Sequence, residues 1–198
     1  RGLGDVYKRQ FQTSGQVQYV ALCGNFEREG YDYTGALRIL RVMLSYDYLW
    51  INIRVKGGAY GCMSGFKRNG ESFLVSYRDP HLKRTLEVYQ GVPDYIRAFE
   101  ADEREMTKYI IGTISNKDVP RTPQMQGSIS KTAYFSNVTE DMLQKERNQI
   151  LGAQKEDIQK LAALVEAVLS DDQICVVGSE TAIEKAEDVF MEVKPLIG

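Results

Sequence analysis

The segment Arg54-Val55-Lys56-Gly57-Gly58-Ala59-Tyr60-Gly61-Cys62 sets a guanidinium and a phenol six positions apart across a Gly-Gly pair. A helical pattern runs into it and a strand pattern runs out. Two donors held this way, one cationic and one phenolic, suit a polarised carbonyl or an oxyanion. The same residues also read as an ordinary helix end. Arg54 and Lys56 would then complement the dipole, the glycines would cap, and Tyr60 would pack in the following strand.

Other self-sufficient chemistry is absent from the sequence. There is no His-x-x-Glu-His or its inversion, no Gly-x-Ser-x-Gly, no phosphate-binding glycine loop and no dinucleotide fingerprint. His81 is the only histidine, so a catalytic zinc site built by this chain alone is not expected. It follows Asp79-Pro80 and reads as a capping or surface residue. Tyr77-Arg78-Asp79-Pro80 reads as a strand end carrying an Arg-Asp contact. The three cysteines, Cys23, Cys62 and Cys175, are widely spaced and odd in number. They read as free thiols, mostly packed in strands, in a reducing compartment.

Several elements must position Arg54 and Tyr60. Val17–Phe26 reads as a buried strand. Asp32–Ile53 reads as one long helix, with Leu37, Leu40, Leu44 and Tyr48 on a broad apolar face that calls for burial beneath a sheet. Ala59–Lys67 and Glu71–Tyr77 read as a hairpin around Arg68-Asn69-Gly70, with positive φ tolerated at both Asn and Gly. A helix is expected over His81–Ala101. Asp102 and Glu105 form a capping box opening another helix to about Asn116.

Val119–Pro123 is an extended connector. Helices follow at Gln124–Phe135, Thr139–Leu151 and Lys155–Leu169, the last with Ile158, Leu161, Ala162, Val165 and Val168 on one face. Gln173–Gly178 is a strand, and Thr181–Met191 a final helix. Consecutive hairpin strands exclude a doubly wound parallel fold. The fold class is α+β, a two-layer sandwich with an antiparallel sheet and helices packed on one face.

The 198 residues can build one sizeable core. A net charge of -2 excludes nucleic acid and anionic membrane surfaces as obligate partners, and no apolar run reaches membrane-spanning length. Arg1–Gln10 (RGLGDVYKRQ) stands apart. Its Asp5–Gln10 portion resembles the translation of a transposon adapter used in sequencing libraries, so residues 1–10 are set aside as an artefact. Residues 11–198 are taken as a single domain of a longer chain.

Ile53–Gly61, Tyr77–Pro80, Thr85-Leu86-Glu87-Val88 and Val119–Pro123, in that order, resemble the C-terminal domain of presequence protease. That enzyme belongs to the pitrilysin/insulinase superfamily of zinc metallopeptidases. The resemblance covers about residues 16–198. It implies a C-terminal domain that clamps unfolded peptide inside a closed chamber, together with N-terminal domains of the same polypeptide. Zn2+ and the general-base glutamate would lie in the N-terminal half, so this chain would ligate no metal and would not cleave peptides alone. Arg54 and Tyr60 match the residues that hydrogen-bond substrate carbonyls and stabilise the tetrahedral intermediate. A non-catalytic scaffold homologue of the same superfamily is the alternative. Bacterial relatives generally lack export signals, which points to the bacterial cytoplasm.

Overall fold

The computed structural model describes residues 8–13, 16–186, 189 and 192–195. Strands β1 (Lys8–Thr13), β2 (Gln18–Asn25), β3 (Gly61–Phe66), β4 (Glu71–Asp79), β5 (Gln173–Ser179) and β6 (Glu192–Pro195) form one sheet in the order β3-β4-β2-β5-β1-β6. The four strands β3, β4, β2 and β5 pair antiparallel. β1 extends them, running parallel to both β5 and β6. The expected α+β sandwich is therefore present, with a parallel extension that the sequence reading did not contain. Three residues of the stretch set aside, Lys8–Gln10, pair within β1. Strand pairing is made by the backbone, so it accepts almost any sequence there. Arg1–Tyr7 lie outside the described residues.

One sheet face is covered. Val20, Leu22, Leu74, Ile174 and Val176 meet Leu37, Ile39, Leu40, Met43 and Leu44 from the helical layer, all at most 4% exposed. Period-2 alternation in the strands and a wide apolar stripe on the helix dictate this. The other face carries Tyr19, Cys23, Met63 and Cys175, all exposed. The cysteines thus sit in strands and are free, as expected, but two of the three are open rather than packed.

The helices are α1 (Ala36–Met43), α2 (Lys83–Gln90), α3 (Val92–Arg97), α4 (Glu103–Lys117), α5 (Pro123–Phe135), α6 (Glu140–Leu151), α7 (Lys155–Gln159), α8 (Leu161–Ser170) and α9 (Glu180–Glu184). The long helix expected over Asp32–Ile53 starts later, at Ala36, and beyond Met43 continues as π-wound turns over Leu44–Tyr48 and Trp50–Val55. The helix expected over His81–Ala101 divides at Gly91, because Pro93 in the first turn of α3 has no N–H to continue the ladder. The Asp102/Glu105 capping box is present.

α5 opens on Pro123 behind the Thr122 cap, and none of its residues is buried. The helix expected over Lys155–Leu169 breaks at Lys160, yet Ile158, Leu161, Ala162, Val165 and Val168 are all buried as one face. Of the helix expected at Thr181–Met191, the α-helical part among the described residues is short: α9 ends at Glu184. Glu192–Pro195, beyond that expected helix, closes the sheet edge as β6. In the hairpin, only Gly70 takes positive φ (79°), and its N–H donates to the Lys67 carbonyl. The turn is therefore a three-residue loop with glycine in the left-handed position, not a two-residue Asn-Gly turn.

Candidate functional site at a helix-strand junction

The helical segment entering the site winds wider than an α-helix. Lys56 N–H donates to the Ile51 carbonyl five residues back, at 2.9 Å. The Asn52 side chain donates to the Tyr48 carbonyl, also at 2.9 Å, so polar groups displaced by the wide winding keep partners. Such π-turns recur where a side chain must be aimed away from regular spacing. Here the aimed residue is Arg54. It is exposed, and its guanidinium lies 4.2 Å from the Trp50 ring centroid. Stacking on indole restrains the guanidinium while leaving its N–H groups unspent.

The end of the segment is tied down from three sides. Gly58, at φ 78°, donates its N–H to the Arg54 carbonyl at 2.9 Å, and Ala59 donates to Ile53 at 3.1 Å. Each span is one residue longer than in a regular glycine cap, so the wide winding persists into the turn. Arg84 from α2 donates to the Lys56 carbonyl at 3.0 Å. A Cβ at Gly57 would stand 2.3 Å from the Ile53 carbonyl oxygen, so only glycine fits there. The capping role expected of the glycines holds, and it is what fixes Arg54.

Tyr60 follows at the mouth of β3. Its N–H pairs with the Arg78 carbonyl at 3.3 Å, while its side chain is 62% exposed. It therefore does not pack as an interior strand residue. Its ring stands 5.7 Å from that of Tyr77, and the Arg78 guanidinium lies 5.5 Å from its centroid. Tyr77 in turn covers Gly61, where an added Cβ would fall 2.3 Å from its hydroxyl. The Tyr60 ring is thus held from the side and from one face, with its hydroxyl free of any hydrogen bond among the described residues.

Among the described residues Arg78 makes no Arg-Asp contact. At φ 50° it turns toward Tyr60. The buried Asp79 accepts instead from His81 N–H at 2.9 Å and from the Thr85 hydroxyl at 2.7 Å. Asp79 thereby anchors β4 to the start of α2, and the exposed His81 contributes its backbone to that anchor. Burial, and secondarily the Asp79 charge, push the Cys62 thiol up to about 11, with the Arg54 guanidinium pulling the other way. Cys62 stays protonated near neutrality and is no nucleophile.

A second charged centre was not anticipated from the sequence. Glu146 on α6 is 1% exposed. Its carboxylate accepts from the Tyr33 hydroxyl at 2.9 Å, from Lys117 at 2.6 Å and from Arg68, with Arg38 at 3.6 Å. Burial alone would raise its pKa; the Lys117 hydrogen bond and the Arg38 charge outweigh that, and the net shift is downward. Burial pushes the Tyr33 hydroxyl up to about 12. The available signal was Glu146 standing four residues before Ile150, on the stripe of α6 that faces inward. The centre joins the hairpin tip to α1, α4 and α6, and every member has a partner.

Among the described residues no group of three or more His, Cys, Asp or Glu side chains could hold a metal ion. None of their helices is long and apolar enough to cross a membrane.

Residues 8–180 match the family model for the PreP C-terminal domain. The chain is 49% identical over 185 residues to "Protein HypA" of Clostridium perfringens, covering 93% of this chain and 19% of that protein. It is 34% identical over 183 residues to "Presequence protease 1, chloroplastic/mitochondrial" of Arabidopsis thaliana, covering 90% of this chain and 17% of that one. The chain thus spans under a fifth of the length of these relatives. In fold it resembles a peptidase M16 inactive domain from Pseudomonas fluorescens (TM-score 0.62, 18% identity, 96% of this chain and 45% of that one). It also resembles pitrilysin (TM-score 0.58, 16% identity, 86% of this chain and 19% of that one). Motif order, sheet topology and the family match agree: this chain belongs to the presequence protease C-terminal domain family.

Proposed function

We propose that residues 11–198 serve as the substrate-clamping domain of a zinc-dependent metalloendopeptidase that degrades unfolded peptides in a closed chamber. Arg54 and Tyr60 hydrogen-bond substrate carbonyls beside the scissile bond and stabilise the tetrahedral intermediate. The observation that carries this reading is that both side chains are held by stacking and exposed, yet their donors are unspent among the described residues: stacking holds Arg54 and Tyr60 without consuming their N–H and O–H groups. Donors preorganised in this way need no rearrangement as negative charge develops on a carbonyl oxygen.

Zinc would be held outside this chain, by the N-terminal domains of the same polypeptide, and would supply the activated water there. In this reading the present chain is inactive alone, and it works in the bacterial cytoplasm. The test is peptide hydrolysis by the complete polypeptide carrying Arg54→Ala or Tyr60→Phe. Each is expected to lower kcat by roughly a hundredfold, the scale of losing one oxyanion donor. Near-wild-type turnover in both would remove the assignment of Arg54 and Tyr60; absence of hydrolysis by the unaltered complete polypeptide would leave the scaffold reading.

A further inference from the structure

A cavity of about 620 Å³ opens between α1, α4, α5 and α6, on the helical layer rather than at the Arg54–Tyr60 junction. Arg38 and Arg41 of α1, Lys117 of α4 and Arg121 of the connector line it, and no lining residue is acidic. Ile129 and Leu143 form part of an apolar wall against the same space. Glu146 occupies Arg38 and Lys117 from beneath. Arg121 spends one N–H on the Lys117 carbonyl at 3.0 Å. Arg41 has no hydrogen-bond or ion-pair partner among the described residues. Two guanidiniums therefore keep unspent donors beside an apolar surface, and the volume is that of a small-ligand site.

Guanidinium forks match carboxylates in pairs of parallel hydrogen bonds. A free inorganic anion would gain nothing from the apolar wall, and a purely apolar ligand would leave the cations unmatched. We propose that this cavity binds a carboxylate carried on an apolar body, namely the C-terminal end of a peptide finishing in a hydrophobic residue. The carboxylate pairs with Arg41 and Arg121, and the last side chain lies against Ile129 and Leu143. The peptidase reading above suggests only the source of this ligand; the site itself rests on the cavity.

The test is calorimetric titration of the complete polypeptide with an N-acetylated tripeptide ending in leucine, its C-terminal amide, and decanoate. The free acid is expected to bind at least tenfold more tightly than the amide. Arg41→Gln with Arg121→Gln should weaken the acid at least tenfold; both residues lie outside the Glu146 contacts, so the fold is spared. Leu143→Asp should weaken it by a similar factor. Arg54→Ala should leave this binding unchanged even where it lowers turnover about a hundredfold, which separates failure of this site from failure of the peptidase reading. Equal binding of acid and amide, or wild-type affinity in the Arg41/Arg121 variant, overturns the proposal. Binding of decanoate without the peptide overturns the peptide as its occupant.

Discussion

Arg54 and Glu146 both carry charge on helical segments of this chain, and they are treated in opposite ways. Glu146 is buried, and Tyr33, Arg68 and Lys117 fill its hydrogen-bonding capacity. Arg54 is exposed, fixed by a ring and a capped turn, with its donors left over. A saturated charge holds elements together, since removing one member strands the others in a poorly solvated place. An unsaturated charge on a rigid mount is available to something that is not part of the fold. The contrast predicts that changes at the junction act on turnover and changes at the Glu146 centre act on stability.

The largest effect is expected for Arg54→Ala combined with Tyr60→Phe in the complete polypeptide. Turnover should fall by about 10³, less than the product of the single losses, because residues that act as a unit are not additive. A fall in thermal midpoint as large as the fall in activity would erase the contrast. Next is Glu146→Gln, which should cost about 3 kcal/mol of unfolding free energy in denaturant titration, because it strands three partly buried cations. Unchanged stability would show that the cluster does not hold the hairpin to the helices.

The same centre sets a pH dependence. The folded-state pKa of Glu146 lies below its ordinary value of about 4.3, so its contribution is complete above that value. The contribution fades as pH falls through the folded pKa. Wild-type stability should therefore drop below about pH 4 more steeply than that of Glu146→Gln. Parallel curves would contradict this. A smaller effect is expected for Gly58→Ala, where φ is 78°; about 1–2 kcal/mol should be lost through left-handed strain, and turnover should fall with it as Arg54 shifts. Smallest is Asp102→Ala, which removes the capping box of α4. It should cost about 1 kcal/mol with turnover unchanged.

Local rules carried much of this molecule. The Asp102/Glu105 box, the buried stripe from Ile158 to Val168 and the glycine cap after Val55 follow from residue type and spacing, and each is present. Exposure of Tyr60 did not follow, because a tyrosine opening a β-rich run looks the same whether its strand mouth is covered or open. The π-winding was hidden as well, since apolar spacing near 3.6 residues does not separate α from slightly wider turns over two turns of helix. β6 and the parallel pairing of β1 depend on contacts between opposite ends of the chain. The Glu146 centre gathers Tyr33 and Arg38 from around the start of α1, Arg68 from the hairpin tip and Lys117 from α4, so no local pattern could assemble it.

Tyr60→Phe tests the central claim most directly, because it removes one hydroxyl and keeps the ring contacts with Tyr77 and Arg78. Peptide hydrolysis and the thermal midpoint would be measured on the same preparation of the complete polypeptide. The account predicts a kcat lower by about a hundredfold with the midpoint unchanged. Unchanged kcat would contradict it, and Tyr60 would then be only the residue that opens β3.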